Sequence, residues 1–424
     1  MQNKTVLDNG ISVISEEINH VRSVSIGVWV RCGSRSENYT TNGMAHFIEH
    51  MLFKGTKNRS AFDIASEIDS VGGVMNAFTS KEFTAFYIKI PDYHLAMAID
   101  LLADIVKNSL FNPAEIEKET SVVLQEISMV EDTPDDFIHD FFEKTFWNGH
   151  PLGLPILGTK ETVVSFEREI LVNFFTERYT GENVTLTAAG NLKHDVLVNL
   201  AKNTFGSLEG KPIKEVYLKP LITPAVAAIE KDLEQEHIIV GTTAPSSTSQ
   251  LRYPALLMNI VLGGSMSSRL FQEIREKRGL AYSIRSYLVP YRDAGILGIY
   301  VATSEDKVKD VIGLILEELD KFRENLLTEK ELHSAKELVK GNLLLSMEST
   351  DNRMTKLAKN EILFGRNIPV EEIVRNIEAV SREDIKNLAG DIFSFDTISL
   401  AALGKVSEKD ITEGLISGGN KSIH

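Results

Sequence analysis

The amino-acid sequence predicts an α+β fold of two similar halves, each a mainly antiparallel sheet covered by helices. Three observations predict it. At 424 residues the chain is too long for one ordinary hydrophobic core. Val184-Thr-Leu-Thr-Ala-Ala-Gly190-Asn-Leu lines up with Ile398-Ser-Leu-Ala-Ala-Leu-Gly404-Lys-Val, 214 positions further on, an offset of about half the chain that marks a duplication. Strand-like runs come in neighbouring pairs and helical runs stand apart from them, the pattern of antiparallel sheets with helices on their faces. The halves are placed at residues 1–210 and 211–424. A connection over about residues 207–224 joins them, where Gly210, Pro212, Pro220 and Pro224 interrupt regular structure.

The elements follow in order. Thr5–Asp8 and Ile11–Ser15 flank Asn9-Gly10, a strong hairpin signal. Alternating Val24, Ile26, Val28, Val30 and Cys32 predict a long strand over about residues 23–32 with one buried face. A helix is expected at about 42–53, and Ser60 can cap another that ends near Gly72-Gly73. Val74–Thr79 and Thr84–Ile90 read as paired strands, followed by a helix over about 92–108. Asn112-Pro113 supplies the cap and first position of a long helix through about Val130. Amphipathic helices at about 168–178 and 382–390 precede the two copies of the repeat. The second half alternates strands (about 226–231, 237–243, 281–289, 294–302) with helices (about 251–262, 268–277, 305–324, 328–348).

Composition narrows the function. An apolar fraction of 43% with 25% charged residues is that of a soluble globular protein. A net charge of −15 argues against nucleic acid, which is bound largely by Lys and Arg neutralising phosphates. Nothing approaches the roughly 18 consecutive apolar residues of a membrane-spanning helix, so no membrane insertion is expected. The first residues carry neither an apolar signal core nor an Arg/Ser-rich transit pattern, and a cytoplasmic protein is expected. The single cysteine, Cys32, excludes an intrachain disulfide and reads as a small core residue.

The sharpest chemical feature is His46-Phe-Ile-Glu49-His50. On a helix, residues four apart lie on one face, so both imidazoles can reach one ion. Glu49 adjoins them as a candidate general base, and the order His-x-x-Glu-His is the inverted zinc-peptidase motif. A catalytic zinc takes three protein ligands and leaves a position open, whereas a structural zinc is closed by four. The long helix offers Glu119 and Glu126, seven apart and nearly in line, one as ligand and the other as its support. Spacing does not choose between them, nor does it exclude Glu115 and Glu117, although those two suit a solvated acidic face.

The run Gly43-Met-Ala-His-Phe-Ile-Glu-His-Met-Leu-Phe-Lys-Gly55 resembles the pitrilysin/insulinase family of zinc peptidases. It looks most like the branch holding the catalytic subunit of mitochondrial processing peptidase and its bacterial homologues, and the resemblance spans nearly the whole chain. It implies a third ligand 76 positions after the second histidine, which is Glu126, and an assisting Glu119 one helical repeat earlier. Phe271-Gln-Glu-Ile-Arg275-Glu-Lys-Arg-Gly-Leu-Ala-Tyr282 resembles the family's second-half motif, whose Arg and Tyr bind substrate and the developing oxyanion. Without the resemblance, Arg275 would read as an exposed helix charge and Tyr282 as a strand-core aromatic. Gly263-Gly264-Ser-Met-Ser-Ser268 reads as a flexible loop that lacks a phosphate-loop Gly-Lys-Ser/Thr. It resembles the family's glycine-rich loop, with Ser265 where Gly is frequent.

Asn76, Ala77, Phe78 and Thr79 resemble the family's exposed edge strand, to which a peptide can add through its backbone. The acidic patch after the ligand helix includes Asp136 and Asp140, which match positions that read an arginine near the cut. The repeat offset maps the histidine helix onto Leu256-Leu-Met-Asn-Ile-Val-Leu-Gly-Gly264, which has neither His nor Glu, so one Zn2+ per chain is expected. The resemblance thus implies a zinc metalloendopeptidase acting on short or unfolded peptides, with basic residues preferred near the cut. It implies halves that close as a clamshell, in a homodimer. The alternative is a non-catalytic structural or regulatory subunit of a peptidase or respiratory-type complex. Such relatives have typically lost ligands that this chain retains.

Overall fold

A computed structural model of the chain describes residues 2–210, 218–394, 397–409 and 411–412. Residues 211–217, in the middle of the expected connection, lie outside the described residues. Strands β1 (Gln2–Val6), β2 (Ser12–Glu17), β3 (Ser23–Val30), β4 (Val74–Thr79), β5 (Thr84–Pro91) and β6 (Val184–Gly190) form one sheet in the order β1-β2-β6-β3-β5-β4. Strands β7 (Val226–Glu230), β8 (Glu236–Thr243), β9 (Ala281–Pro290), β10 (Gly295–Thr303) and β11 (Ser399–Gly404) form the other, in the order β7-β11-β8-β10-β9. Without β1 the two orders are the same, which is the duplication read from the chain. Each sheet carries one parallel pair, β2–β6 and β7–β11, among antiparallel ones. The sheets are therefore mixed. Alternation within a segment shows that it is a strand but not which distant strand lies beside it.

The first half of the sequence contributes helices α1 (Met44–Met51), α2 (Ala61–Ser70), α3 (Leu95–Asn108), α4 (Pro113–Asp132), α5 (Pro134–Phe146), α6 (Lys160–Val164), α7 (Arg168–Arg178) and α8 (His194–Phe205). The second contributes α9 (Arg252–Leu262), α10 (Val308–Glu324), α11 (Glu329–Ser346), α12 (Thr350–Phe364), α13 (Val370–Ala379) and α14 (Arg382–Ile392). Local chemistry explains their starts. Ser60 caps α2 in a capping box with Asp63, and Asn112 Oδ1 accepts the Ala114 N–H at the start of α4. Phe271–Glu276, expected within an α-helix, forms a π-helix instead. Among the described residues no helix is long and apolar enough to cross a membrane.

The chain divides into two compact units that are not contiguous. Of the described residues, one unit takes those within Met1–Met129, Leu154–Tyr217 and Leu344–Asn367. The other takes those within Val130–Gly153, Leu218–Leu343 and Ile368–His424. Each sheet is thereby covered on its second face by a helix from the other half of the sequence. In the first unit Val24, Ile26, Val28 and Val30 of β3 face a large core, while Trp29 points the other way against Met354, Ala358 and Ile362 of α12. Ion pairs Lys4–Glu361 (2.7 Å), Lys89–Asp351 (2.8 Å) and Glu16–Arg353 fasten α12. In the second unit Ile138, Phe142 and Phe146 of α5 pack on Ile239, Ala401 and Leu403. Full burial of each such side chain stabilises by about 1.5–3 kcal/mol. A glycine admits the covering helix in both sheets. A Cβ on Gly27 would press on Met354, and one on Gly241 would collide with the Phe142 ring. The two glycines stand at the repeat offset of 214.

Candidate metal centre

The candidate metal ligands come from α1 and α4 of the first unit. The backbone before α1 is shaped by Gly43, whose φ of +96° most residues resist, and a Cβ there would lie 2.7 Å from the Leu157 carbonyl oxygen. Asn42 holds the same loop by donating to the Pro155 carbonyl at 2.8 Å. The N-terminal amides are taken by Glu37, which is buried and accepts from Gly43 N–H (2.8 Å), Ala45 N–H (2.7 Å) and Asn42 Nδ2 (3.1 Å). Burial pushes its carboxyl up to about 8, against those three donors.

From α1 so anchored, His46 and His50 project to one side and meet Glu126 of α4. His46 Nε2 and His50 Nε2 are 3.3 Å apart, and Glu126 Oε2 lies 3.7 Å and 3.6 Å from them. This nearly equilateral triangle suits three donors each about 2 Å from a common ion, the length of a zinc–nitrogen or zinc–oxygen bond. Two imidazoles and a carboxylate are also the donor set that zinc takes. Among the described residues these three are the only group of His, Cys, Asp and Glu so placed.

The surrounding charges are graded. Burial drives His46 down to about 3, with His50 adding to the effect, and its Nδ1 is buried without a partner among the described residues. Burial also pulls His50 down, but the hydrogen bond to Glu119 and the charges of Glu126, Glu119 and Glu49 leave it above its ordinary value. Glu119, 3% exposed, accepts from His50 Nδ1 at 3.0 Å on Oε2 and from Lys54 Nζ at 2.6 Å on Oε1. Burial raises its carboxyl, and those two donors outweigh it and leave it lowered. A carboxylate on Nδ1 fixes the ring with Nε2 turned to the metal position. Glu49 is raised, by burial first and by Glu126 as well, while Thr79 and His50 oppose. Thr79 Oγ1 donates to Glu49 Oε2 at 2.5 Å. Glu49 thus stands beside the triangle as a carboxylate that it does not use.

The structure therefore brings together His46, His50, Glu126, Glu119 and Glu49. Asn76, Ala77, Phe78 and Thr79 form most of β4, the terminal strand of the first sheet, with Asn76 exposed and Phe78 packed edge-on against Trp29. The remaining expected site residues belong to the second unit. Arg275 lies on the π-helix with its guanidinium 4.7 Å from the Phe271 ring and 5.1 Å from the Tyr282 ring. Tyr282 is the second residue of β9 and is 76% exposed, so it is not the strand-core aromatic that its sequence position alone suggests. Asp136 is exposed near the start of α5, and Asp140 is half-buried one turn later. Gly263 to Ser268 is a built segment: Gly263 donates to the Asn259 carbonyl and accepts from Ser286 N–H at 3.1 Å each. Glu37 carries no motif that marks it in the sequence, and Lys54, although inside the Gly43–Gly55 run, has no role read for it there. Lys54 stands four residues past His50, one turn further along, and only that spacing hints at it.

Comparison with known proteins agrees with this chemistry. Residues 12–160 match the family described as Insulinase (Peptidase family M16), and residues 165–339 match the Peptidase M16 inactive domain. The chain is 42% identical over 388 residues to the uncharacterized zinc protease YmxG of Bacillus subtilis, covering 92% of this chain and 95% of that one. It is 38% identical over 411 residues to an uncharacterized zinc protease of Mycobacterium leprae, covering 96% and 92%. In fold it is similar to a protease from Helicobacter pylori, with a TM-score of 0.87 at 22% identity over 95% of this chain and 99% of the other. It is also similar to a peptidase M16 inactive domain protein from Pseudomonas fluorescens, with a TM-score of 0.90 at 19% identity over 96% and 98%.

Proposed function

This chain belongs to the insulinase family, peptidase family M16, and is a zinc protease; from that premise we propose that it is an endopeptidase for short or unfolded peptides. The observation that carries the reading is the His46–His50–Glu126 triangle with the half-buried carboxylate of Glu49 beside it and outside the ligand set. We assign one zinc per chain to the three ligands. Zinc held there supplies Lewis acidity that polarises a peptide carbonyl and brings the pKa of water to about 7.

The remaining steps belong to side chains. Glu49 takes the proton of the attacking water and passes it to the leaving amine. Glu119 holds the His50 ring in place. The β4 edge over Asn76–Thr79 takes the peptide as an added strand, which reads backbone rather than side chains. Arg275 and Tyr282 bind substrate and the developing oxyanion. Exposure of the Tyr282 ring, with the Arg275 guanidinium against it, supports that role. Asp136 and Asp140 confer a preference for Arg or Lys near the cut. The glycine-histidine motif over Gly43–Gly55 supports kinship with the processing-peptidase branch, and a homodimer is the assembly proposed.

One experiment tests this reading. Wild type, Glu49→Gln and the double variant Asp136→Asn/Asp140→Asn are assayed for zinc content and for cleavage of matched peptides with and without arginine. All three are expected to bind about one zinc, and Glu49→Gln to lose at least about 100-fold in rate. The double variant is expected to cleave both peptides equally. Equal cleavage by Glu49→Gln overturns the base, and an undiminished arginine preference overturns the aspartate pair.

A further inference from the structure

The direction of the hydrogen bond from Thr79 to Glu49 follows from the proton count and the distances together. Thr79 faces Thr84 across the β4–β5 pair, and their hydroxyl oxygens are 3.3 Å apart. Thr84 is fully buried and its hydroxyl donates to the Cys32 carbonyl at 2.9 Å. A hydroxyl has one proton. With that of Thr84 committed, none remains to give to Thr79, and Thr79 directs its own to Glu49 Oε2 at 2.5 Å. Among the described residues Glu49 Oε1 accepts no hydrogen bond. The two carboxylate oxygens are thus unlike: one is held, the other is presented.

We propose that Thr79 is a positioning residue that aims the Glu49 carboxylate. It fixes Oε2 so that Oε1 meets the proton it must take. The inference rests on the reading of Glu49 as the base. It also gives β4 a second task. The strand proposed to receive the peptide holds, through its last residue, the carboxylate that acts on it. Substrate register and base orientation then share one rigid element, and elements of regular structure hold such geometry better than loops do. The hairpin turn fixes Thr79 further, since Ser80 N–H donates to the Phe83 carbonyl at 2.9 Å.

The test compares Thr79→Val, which replaces the hydroxyl by a methyl group of the same shape, with Thr79→Ser, which keeps the hydroxyl. Full-length proteins are assayed for zinc content, kcat and KM on the arginine-containing peptide. In Thr79→Val, kcat is expected to fall about 10- to 100-fold, the effect of a misaimed catalytic group. Its KM is expected to stay within about twofold and its zinc content unchanged, and Thr79→Ser is expected to restore most of kcat. The proposal is overturned if Thr79→Val keeps wild-type kcat, if the loss lies in KM or in zinc content, or if Thr79→Ser is as impaired as Thr79→Val. Should Thr79→Val not fold, Thr79→Ala against Thr79→Ser makes the same comparison. The two readings fail separately. An active Glu49→Gln removes the base, whereas an inactive Glu49→Gln with a normal Thr79→Val removes only the aiming role.

Discussion

At His50 the two ring nitrogens meet different surroundings. Nε2 faces His46 and Glu126, where the metal is proposed, and Nδ1 faces Glu119, whose other oxygen is held by Lys54 Nζ at 2.6 Å. A buried carboxylate stays ionised only with partners, and Lys54 is the charged one. Lys54→Met is therefore expected to weaken zinc affinity roughly 10-fold, at the lower end of losses seen when the support of a ligand is removed. Equilibrium competition with a chelator reads this directly, and Lys54→Arg should retain most of the affinity. A Lys54→Met protein that holds zinc as tightly as wild type would show that the charge is dispensable. The histidine pair was legible because two candidate ligands on one helix turn leave a spacing in the sequence. The contact of Lys54 with Glu119 leaves only its four-residue step past His50, because it depends on a second helix that arrives much later in the chain.

The helix that carries those histidines is only eight residues long, so its position depends on its ends. Glu37 holds one end. In the folded chain its carboxyl is pushed up to about 8, while its ordinary value is 4.5. Between these values the folded state binds a proton that the unfolded state has released, so this group's contribution to stability declines as pH rises through the window. Glu37→Gln removes the titration. The urea midpoint of wild type relative to Glu37→Gln is expected to fall from pH 5 to pH 8, within the window set by the buried carboxyl. A difference that stays flat would show that Glu37 remains ionised throughout. Elements with local signals were placed well from the sequence. Val74–Thr79 is β4 to the residue, and Ser60 caps α2 as its position suggests. The π-helix at Phe271–Glu276 was not legible, because one inserted residue per turn barely alters the pattern of apolar positions. Nor was the second buried face of β3, since Trp29 among Ser25 and Gly27 gives no alternating signature.

On the scale of the whole molecule the duplication was legible through one pair of matching strands, and the exchange of α5 and α12 was not. An amphipathic helix announces that one side is buried but not what will bury it. The exchange has a measurable consequence. If the chain is divided within residues 211–217 and the two pieces are produced together, they are expected to purify as a one-to-one complex. Met354, Ala358 and Ile362, with the Lys4–Glu361 and Lys89–Asp351 pairs, tie the second piece to the first sheet. Ile138, Phe142 and Phe146 tie the first piece to the second sheet. Pieces that elute apart on a sizing column would refute it. Synthesis on the ribosome treats the two sheets unequally. The cover of the second sheet, α5, is made before any strand of that sheet. The first sheet is complete once β6 has emerged, and it must then wait for α12. At about 5–20 residues per second that delay is on the order of ten seconds. Throughout it Trp29, Phe83 and Tyr87 lack their lid, so the nascent chain is most open to chaperones, or to misassembly, in that interval.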